Sequence, residues 1–99
     1  MTKELRIVLD PLVHDATRLR IMTLVASEGT VEFATARAVC DLTNGNLGAH
    51  LNRLEEAGYI LVSKVVEGRQ VSTTITLTET GSKAYRKYLA DWERLTGRR

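Results

Sequence analysis

The stretch TNGNLGAHLNRLEEAGYI, Thr43 to Ile60, decides how the rest of the 99-residue chain is read. A threonine opens it, an amphipathic run follows, and a glycine closes it before an apolar, extended segment. Leu47, Leu51, Leu54 and Gly58 fall at spacings of four, three and four, so they stack on one face of a 3.6-residue helix. The opposite face near the start is small and polar: Asn44, Gly45, Asn46, Gly48, Ala49 and Asn52. A helix that buries one stripe and exposes amides and glycines at its N-terminal end has the chemistry needed to read a groove.

Upstream, Phe33 to Cys40 reads as a short helix with Phe33, Ala36, Val39 and Cys40 facing in, and Asp41-Leu42-Thr43 as a turn plugged by Leu42. Thr43 is a good N-cap for the next helix, its hydroxyl placed to accept from an N–H near Asn46. A short helix, a three-residue turn and a longer helix make a helix-turn-helix. Before it, His14-Asp15 offers a break and a cap. Leu19, Ile21, Met22, Leu24, Val25 and Ala26 then suggest a helix apolar nearly all round, ended by Gly29. Arg18 and Arg20 bracket Leu19 and are expected to anchor neighbouring carboxylates or carbonyls. Val31 suits a short strand. Residues 1 to 14 hold Leu5, Ile7, Val8, Leu9, Leu12 and Val13, too apolar for a free tail, and Asp10-Pro11 reads as a helix start.

Downstream of Gly58 the period changes from 3.6 to 2. Tyr59 to Val66 is β-branched and apolar, Glu67-Gly68-Arg69-Gln70 signals a turn, and Val71, Thr73, Ile75 and Leu77 alternate with Ser72, Thr74 and Thr76. The result is a hairpin whose tip carries Arg69 and Gln70, with Lys64 on the approach, able to reach a phosphate backbone or minor groove. Thr78 to Gly81 then caps a last helix. On it Tyr85, Tyr88, Leu89, Trp92 and Leu95 form a helical stripe holding three of the five aromatic residues. That stripe either closes over the chain's own core or forms a dimer surface. The concentration of aromatic groups on a terminal helix favours the second, with the apolar N-terminal segment as partner. Gly97 to Arg99 reads as a frayed basic end.

Composition sets limits on function. There is room for one domain, and 43% hydrophobic with 26% charged residues is ordinary for a globular chain. No apolar run approaches the roughly 18 residues of a membrane span, and Lys3, Glu4, Arg6 and Asp10 interrupt any signal-peptide pattern. With the single cysteine, Cys40, this fits a reducing, cytoplasmic setting. The net charge of +2 is unevenly spread. Residues 1–41 carry five basic and six acidic groups, 42–77 three and three, and 78–99 six and three. The surplus lies in the last segment, away from the candidate reading helix, so duplication by dimerisation is expected to supply affinity.

The order helix, helix, reading helix, two-stranded wing, terminal helix resembles the winged helix-turn-helix regulators of the MarR/ArsR superfamily, in particular the short stand-alone winged-helix family. The residues that carry the resemblance are DATRLRIMTLVAS at 15–27, GTVEFATARAVCDLTNGNLGAHLNRLEEAGYI at 29–60, EGR at 67–69 and LTETG at 77–81. It implies a mainly α fold with a small β-hairpin (α+β), bearing N- and C-terminal dimerisation helices. A single winged-helix domain would span 1–99, with the helix-turn-helix at about 33–57, the wing at about 60–77 and the last helix at about 79–96. It further implies that Thr43, Asn44, Asn46, Ala49, His50 and Arg53 lie toward DNA, with Arg69 and Gln70 at the wing. Leu5, Val8, Leu9, Tyr85, Tyr88, Leu89, Trp92 and Leu95 would form the dimer interface. Val71 and Ser72 depart from the more basic wings of the family, which argues against strong wing contacts.

The expected partners are double-stranded DNA and a second copy, with no cofactor, no metal and no membrane; a small-molecule effector is unspecified. The expected function is a sequence-specific transcriptional regulator, a repressor in the commoner mode. The alternative is a winged-helix protein-interaction module. His50 sits about sixty degrees off the leucine stripe, open to a DNA-backbone contact, a hydrogen-bonded boundary role, or a pH switch or metal ligand. Cys40-Asp41-Leu42 superficially resembles the cysteine motif of metal-sensing ArsR proteins, but without a second cysteine it reads as a small buried hydrophobe. Neither a glycine-rich phosphate loop nor a paired carboxylate occurs, so no enzyme is expected; Glu55 and Glu56 point about a hundred degrees apart.

Overall fold

Three of the four helices start where the sequence supplies a cap. In the computed structural model, which describes residues 3–98, Asp15 accepts from the N–H groups of Thr17 (3.0 Å) and Arg18 (2.9 Å) and opens helix α1, Ala16–Glu28. Thr43 Oγ1 accepts from Asn46 N–H (3.1 Å) and opens α3, Asn44–Glu56. Thr78 Oγ1 accepts from Gly81 N–H (2.9 Å) and opens α4, Glu79–Thr96. Helix α2, Phe33–Val39, has no side-chain cap and continues directly from strand β1, Thr30–Glu32.

The helix ends are equally local. Gly58, at φ 78°, turns α3 outward, its N–H bonding Glu55 O and that of Tyr59 bonding Leu54 O, both at 2.9 Å. The helix-turn-helix turn is built the same way on a different residue. Asp41 stands at φ 53°, with Asp41 N–H on Ala38 O (3.2 Å) and Leu42 N–H on Arg37 O (2.9 Å). Aspartate is one of the few side chains that tolerates this left-handed conformation.

Strands β2, Ile60–Glu67, and β3, Gln70–Leu77, form the hairpin around a Gly68-Arg69 loop, and β1 adds to the far side of β3 in the antiparallel order β1-β3-β2. Ile75 lies opposite both Val31 and Val62, and its side chain is fully buried. It meets Ile21, Met22 and Val25 of α1, Ala36 of α2, and Leu47, Leu51 and Leu54 of α3 in one core. The leucine stripe thus packs as its spacing requires. The fold is a winged-helix α+β arrangement of four helices and three strands.

Several local expectations are corrected. Asp10-Pro11 starts no helix: Pro11–Val13 is a single turn, closed by His14 N–H on Asp10 O at 2.8 Å, because the stronger cap at Asp15 follows at once. Among the described residues the N-terminal segment holds a three-residue 3-10 turn, Glu4–Arg6, in place of an N-terminal α-helix. Gly58 lies beyond α3 and is exposed, so the stripe ends at Leu54. Val39 is 63% exposed, and α1 buries one stripe (Arg18, Ile21, Met22, Val25) instead of its whole circumference. Leu19 and Leu24 instead line an open groove of about 650 Å³ with Val39 and Cys40. Of the basic end, Gly97 and Arg98 close α4 through bonds to Arg94 O and Glu93 O, and Arg99 lies outside the described residues.

One joint ties these parts together. Thr78 N–H bonds Tyr59 O (3.1 Å) and Thr78 Oγ1 bonds Gly58 O (2.5 Å). One helical turn later Gly81 presses on the same peptide, so closely that a Cβ there would sit 1.9 Å from Tyr59 O. The Tyr59 hydroxyl in turn donates to Asp10 Oδ2 (2.5 Å). That hydrogen bond, with burial second, pushes the phenol up from 10.0 to about 12.

Two outcomes follow from the joint. Gly81→Ala should destabilise the fold by about 1–3 kcal/mol, because the obstacle is backbone and cannot rotate away; an unchanged urea midpoint would show that the close approach is not required. The raised Tyr59 pKa means that the folded state favours the protonated phenol. Its stabilising contribution is complete below pH 10 and is lost as pH rises from about 10 to about 12. Urea midpoints across that window should fall more steeply for the unmodified protein than for Tyr59→Phe, and parallel curves would remove Tyr59 from the alkaline transition.

Candidate nucleic-acid interface

The first turns of α3 project from the body because Thr43 satisfies the helix start while Leu47 holds the underside. Asn44, Gly45, Asn46, Ala49, Asn52 and Arg53 are all exposed, whereas Gly48 and His50 are half-buried. Amides can pair bidentately with adenine, and the glycines allow close backbone approach. The α3 N-terminus adds the positive end of the helix dipole where a phosphate or base edge would stand. Thr43, exposed beside them, is the cap itself.

The wing supplies the second projection. Arg69 is exposed in the loop, Gln70 is exposed at the first pair of the ladder, opposite Glu67, and Lys64 lies halfway down β2 opposite Thr73. Leu61, Val65, Val66 and Val71 are exposed on the same hairpin. The departure at Val71 therefore gives the wing an apolar surface with few cations. Glu55, read from sequence only as charge offsetting Arg53, accepts from Val62 N–H at 3.1 Å. It thereby caps an edge N–H of β2 and fixes where the wing leaves the reading helix.

His50 is not a free surface side chain. Its Nδ1 lies 3.2 Å from Arg18 Nη1. Arg18, only 7% exposed, also donates from Nε to Leu12 O (2.6 Å), and its Nη2 lies 3.8 Å from Asp15 Oδ2. The Arg18 N–H bonded to the Asp15 carboxyl holds it below the usual carboxylate range against the opposing effect of burial, with the Arg18 guanidinium and the Thr17 N–H assisting. The expectation that Arg18 anchors a carboxylate and a carbonyl is met. Its contact with the reading helix was missed, since nothing local signals a pair 32 residues apart. Burial pushes the Cys40 thiol up, in keeping with a small core hydrophobe.

The expected dimer residues divide. Helix α4 runs along α1 and then past its start. Tyr85 packs half-buried against the core and its hydroxyl donates to Thr23 Oγ1 (2.9 Å). Tyr88 is 4% exposed, its hydroxyl 2.8 Å from His14 Nδ1. Both thus make contacts inside the chain, Tyr88 almost fully covered and Tyr85 half-buried. Farther along, α4 lies beside the N-terminal segment, joined by Arg94 Nε to Glu4 Oε2 at 3.4 Å. There Leu5, Val8, Leu89 and Trp92 are exposed, and Leu9 and Leu95 half-buried.

A reading helix set against α1 and α2, a hairpin wing beside it and a terminal helix behind define a winged helix-turn-helix. Residues 17–96 match the winged helix DNA-binding domain family. The chain belongs to that family, and its fold is that of DNA-binding transcriptional regulators. An uncharacterised protein of Methanocaldococcus jannaschii is 32% identical over 78 residues, covering 79% of this chain and 85% of that one. The structure of a transcriptional regulator homologue from Pyrococcus horikoshii OT3 superposes with a TM-score of 0.88 at 27% identity, over 96% of this chain and 95% of that one. Reduced AbfR bound to DNA shares the fold, with a TM-score of 0.63 at 21% identity, over 80% of this chain and 54% of AbfR. Among the described residues no helix is long and apolar enough to cross a membrane.

Proposed function

We propose that the chain acts as a homodimeric, sequence-specific regulator, setting two α3 helices into successive major grooves of a two-fold symmetric site. In this reading it is one domain, works in the cytoplasm, has no catalytic activity and represses by occluding a promoter. The observation that carries it is α3 itself, whose leucines are spent on the core while Asn44, Asn46 and Arg53 stand exposed on its outer side. Asn46 reads a base edge. Asn44, Ala49 and Thr43 line the approach, and Arg53, Lys64, Arg69 and Gln70 position the backbone. The exposed Leu5, Val8, Leu89 and Trp92 support a dimer seam on the arm formed by the N-terminal segment and α4.

The exposed valines of the wing favour a second reading, a protein-interaction module. Salt dependence separates the two. DNA binding should weaken along a log–log line with a slope of about −0.9 per phosphate neutralised, while a protein partner needs no such slope. Within that titration Asn46→Ala should cost about 1–3 kcal/mol on the preferred duplex and little on random DNA. Equal losses on both would remove its base-reading role, and negligible affinity at low salt would remove DNA binding altogether. Trp92→Ala should raise the dimer dissociation constant about 30-fold, the equivalent of ~2 kcal/mol for a central aromatic anchor. Sedimentation that finds the unmodified protein monomeric at working concentration contradicts the dimer.

A further inference from the structure

We propose that Arg18 is a positioning residue for DNA recognition: it holds His50 as the neutral imidazole protonated on Nε2, and that outward N–H donates to a DNA phosphate beside α3. The inference rests on the DNA-binding reading of α3 and adds a residue from outside the helix-turn-helix to it. A guanidinium carries only donors, so the 3.2 Å contact with Nδ1 requires a lone pair there. The ring is then neutral and its proton sits on the other nitrogen.

Arg18 has little freedom to turn away. Leu12 O holds its Nε at 2.6 Å, Asp15 lies 3.8 Å from Nη2, and the residue is 7% exposed. The two ring nitrogens of an imidazole point in diverging directions, so Nε2 faces away from Arg18. His50 follows Asn46 by four residues and precedes Arg53 by three, which aligns the three side chains along one flank of α3. The Arg18 charge is itself buried and unavailable to a phosphate. What His50 then offers to DNA is a directional, uncharged donor, which fixes the register of the helix without adding to the salt-dependent attraction.

Nitrogen-15 long-range correlation spectra of the unmodified protein, with His14 and His50 distinguished through the His50→Gln variant, read the tautomer directly. The expected result is Nε2–H for His50; an Nδ1–H ring or an imidazolium at neutral pH overturns the proposal. Duplex-binding titrations then compare two variants. The amide of His50→Asn falls near Nδ1, keeping an acceptor for Arg18 but no outward donor. That of His50→Gln falls near Nε2 and restores the donor. Affinity should drop about tenfold for Asn, the worth of one directional hydrogen bond, and stay within about threefold for Gln.

Because the lost donor is neutral, the salt slope of His50→Asn should equal that of the unmodified protein. A slope shallower by about 0.9 would mean a charged contact and overturns the inference. Binding by His50→Asn as tight as that of the unmodified protein overturns it too. Failure of the unmodified protein to bind duplex DNA at low salt, with the Nε2–H tautomer present, overturns it through the DNA reading. Binding with the wrong tautomer overturns the inference alone. The tautomer measurement needs no variant to bind DNA, so poor folding of one does not shield the proposal.

Discussion

The Tyr59 peptide is the point on which the arrangement turns. It receives the N–H of Thr78, lies against Gly81 closely enough to exclude any side chain there, and follows the left-handed Gly58 whose carbonyl takes the Thr78 hydroxyl. Three elements meet at this contact: the exit of α3, the first residue of β2 and the first turn of α4. Fixing them at one peptide sets the angle of the reading helix relative to the arm that carries Trp92. A two-fold reader needs that angle, because the spacing of two helices in successive grooves depends on how each is mounted on the seam between protomers. The Tyr59–Asp10 bond extends the same joint to the segment preceding α1.

Charge places a second constraint. Along Thr43 to Ile60 the single arginine, Arg53, is offset by Glu55 and Glu56, and the wing has Lys64 and Arg69 against Glu67. A helix with so little positive charge discriminates more than it attracts. In the proposed reading its contribution comes from amides, from the helix N-terminus and from uncharged donors, and attraction to the phosphate backbone from duplication and flanking cations. Glu55 also has a structural task, holding the β2 edge at Val62. The acidic end of α3 is therefore a brace for the wing as much as an offset of charge.

The sequence made legible what is encoded locally. Asp15, Thr43 and Thr78 each cap the helix that follows, Gly29 and Gly58 each end one, and the leucines of α3 mark its buried side; all of these act within about one helical turn. The hairpin was equally readable, since the Glu67-Gly68-Arg69-Gln70 turn signal sits between a β-branched apolar run and an alternating one. What escaped is long-range or competitive. Asp10-Pro11 has the form of a helix start but loses to the cap at Asp15, and its carboxylate serves Tyr59 from 49 residues away. Tyr88 and Trp92 lie on one stripe, yet the first is covered, beside His14, and the second is left exposed. Gly81 looks like an ordinary glycine in a cap region until the Tyr59 carbonyl is placed against it. The Arg18–His50 pair joins two helices whose mutual packing no periodicity specifies. The exposed residues of α3 were thus legible from their position on the helix, while the Arg18 contact with one of them was not.

Selection of bound sequences from a random duplex pool by the unmodified protein tests the central claim, that α3 is one half of a two-fold DNA reader. The account predicts enrichment of a short motif repeated with two-fold symmetry, half-sites centred about 10–10.5 base pairs apart or a multiple of that spacing. A pool that stays random at low salt, or one enriched for a single unrepeated motif, would contradict it.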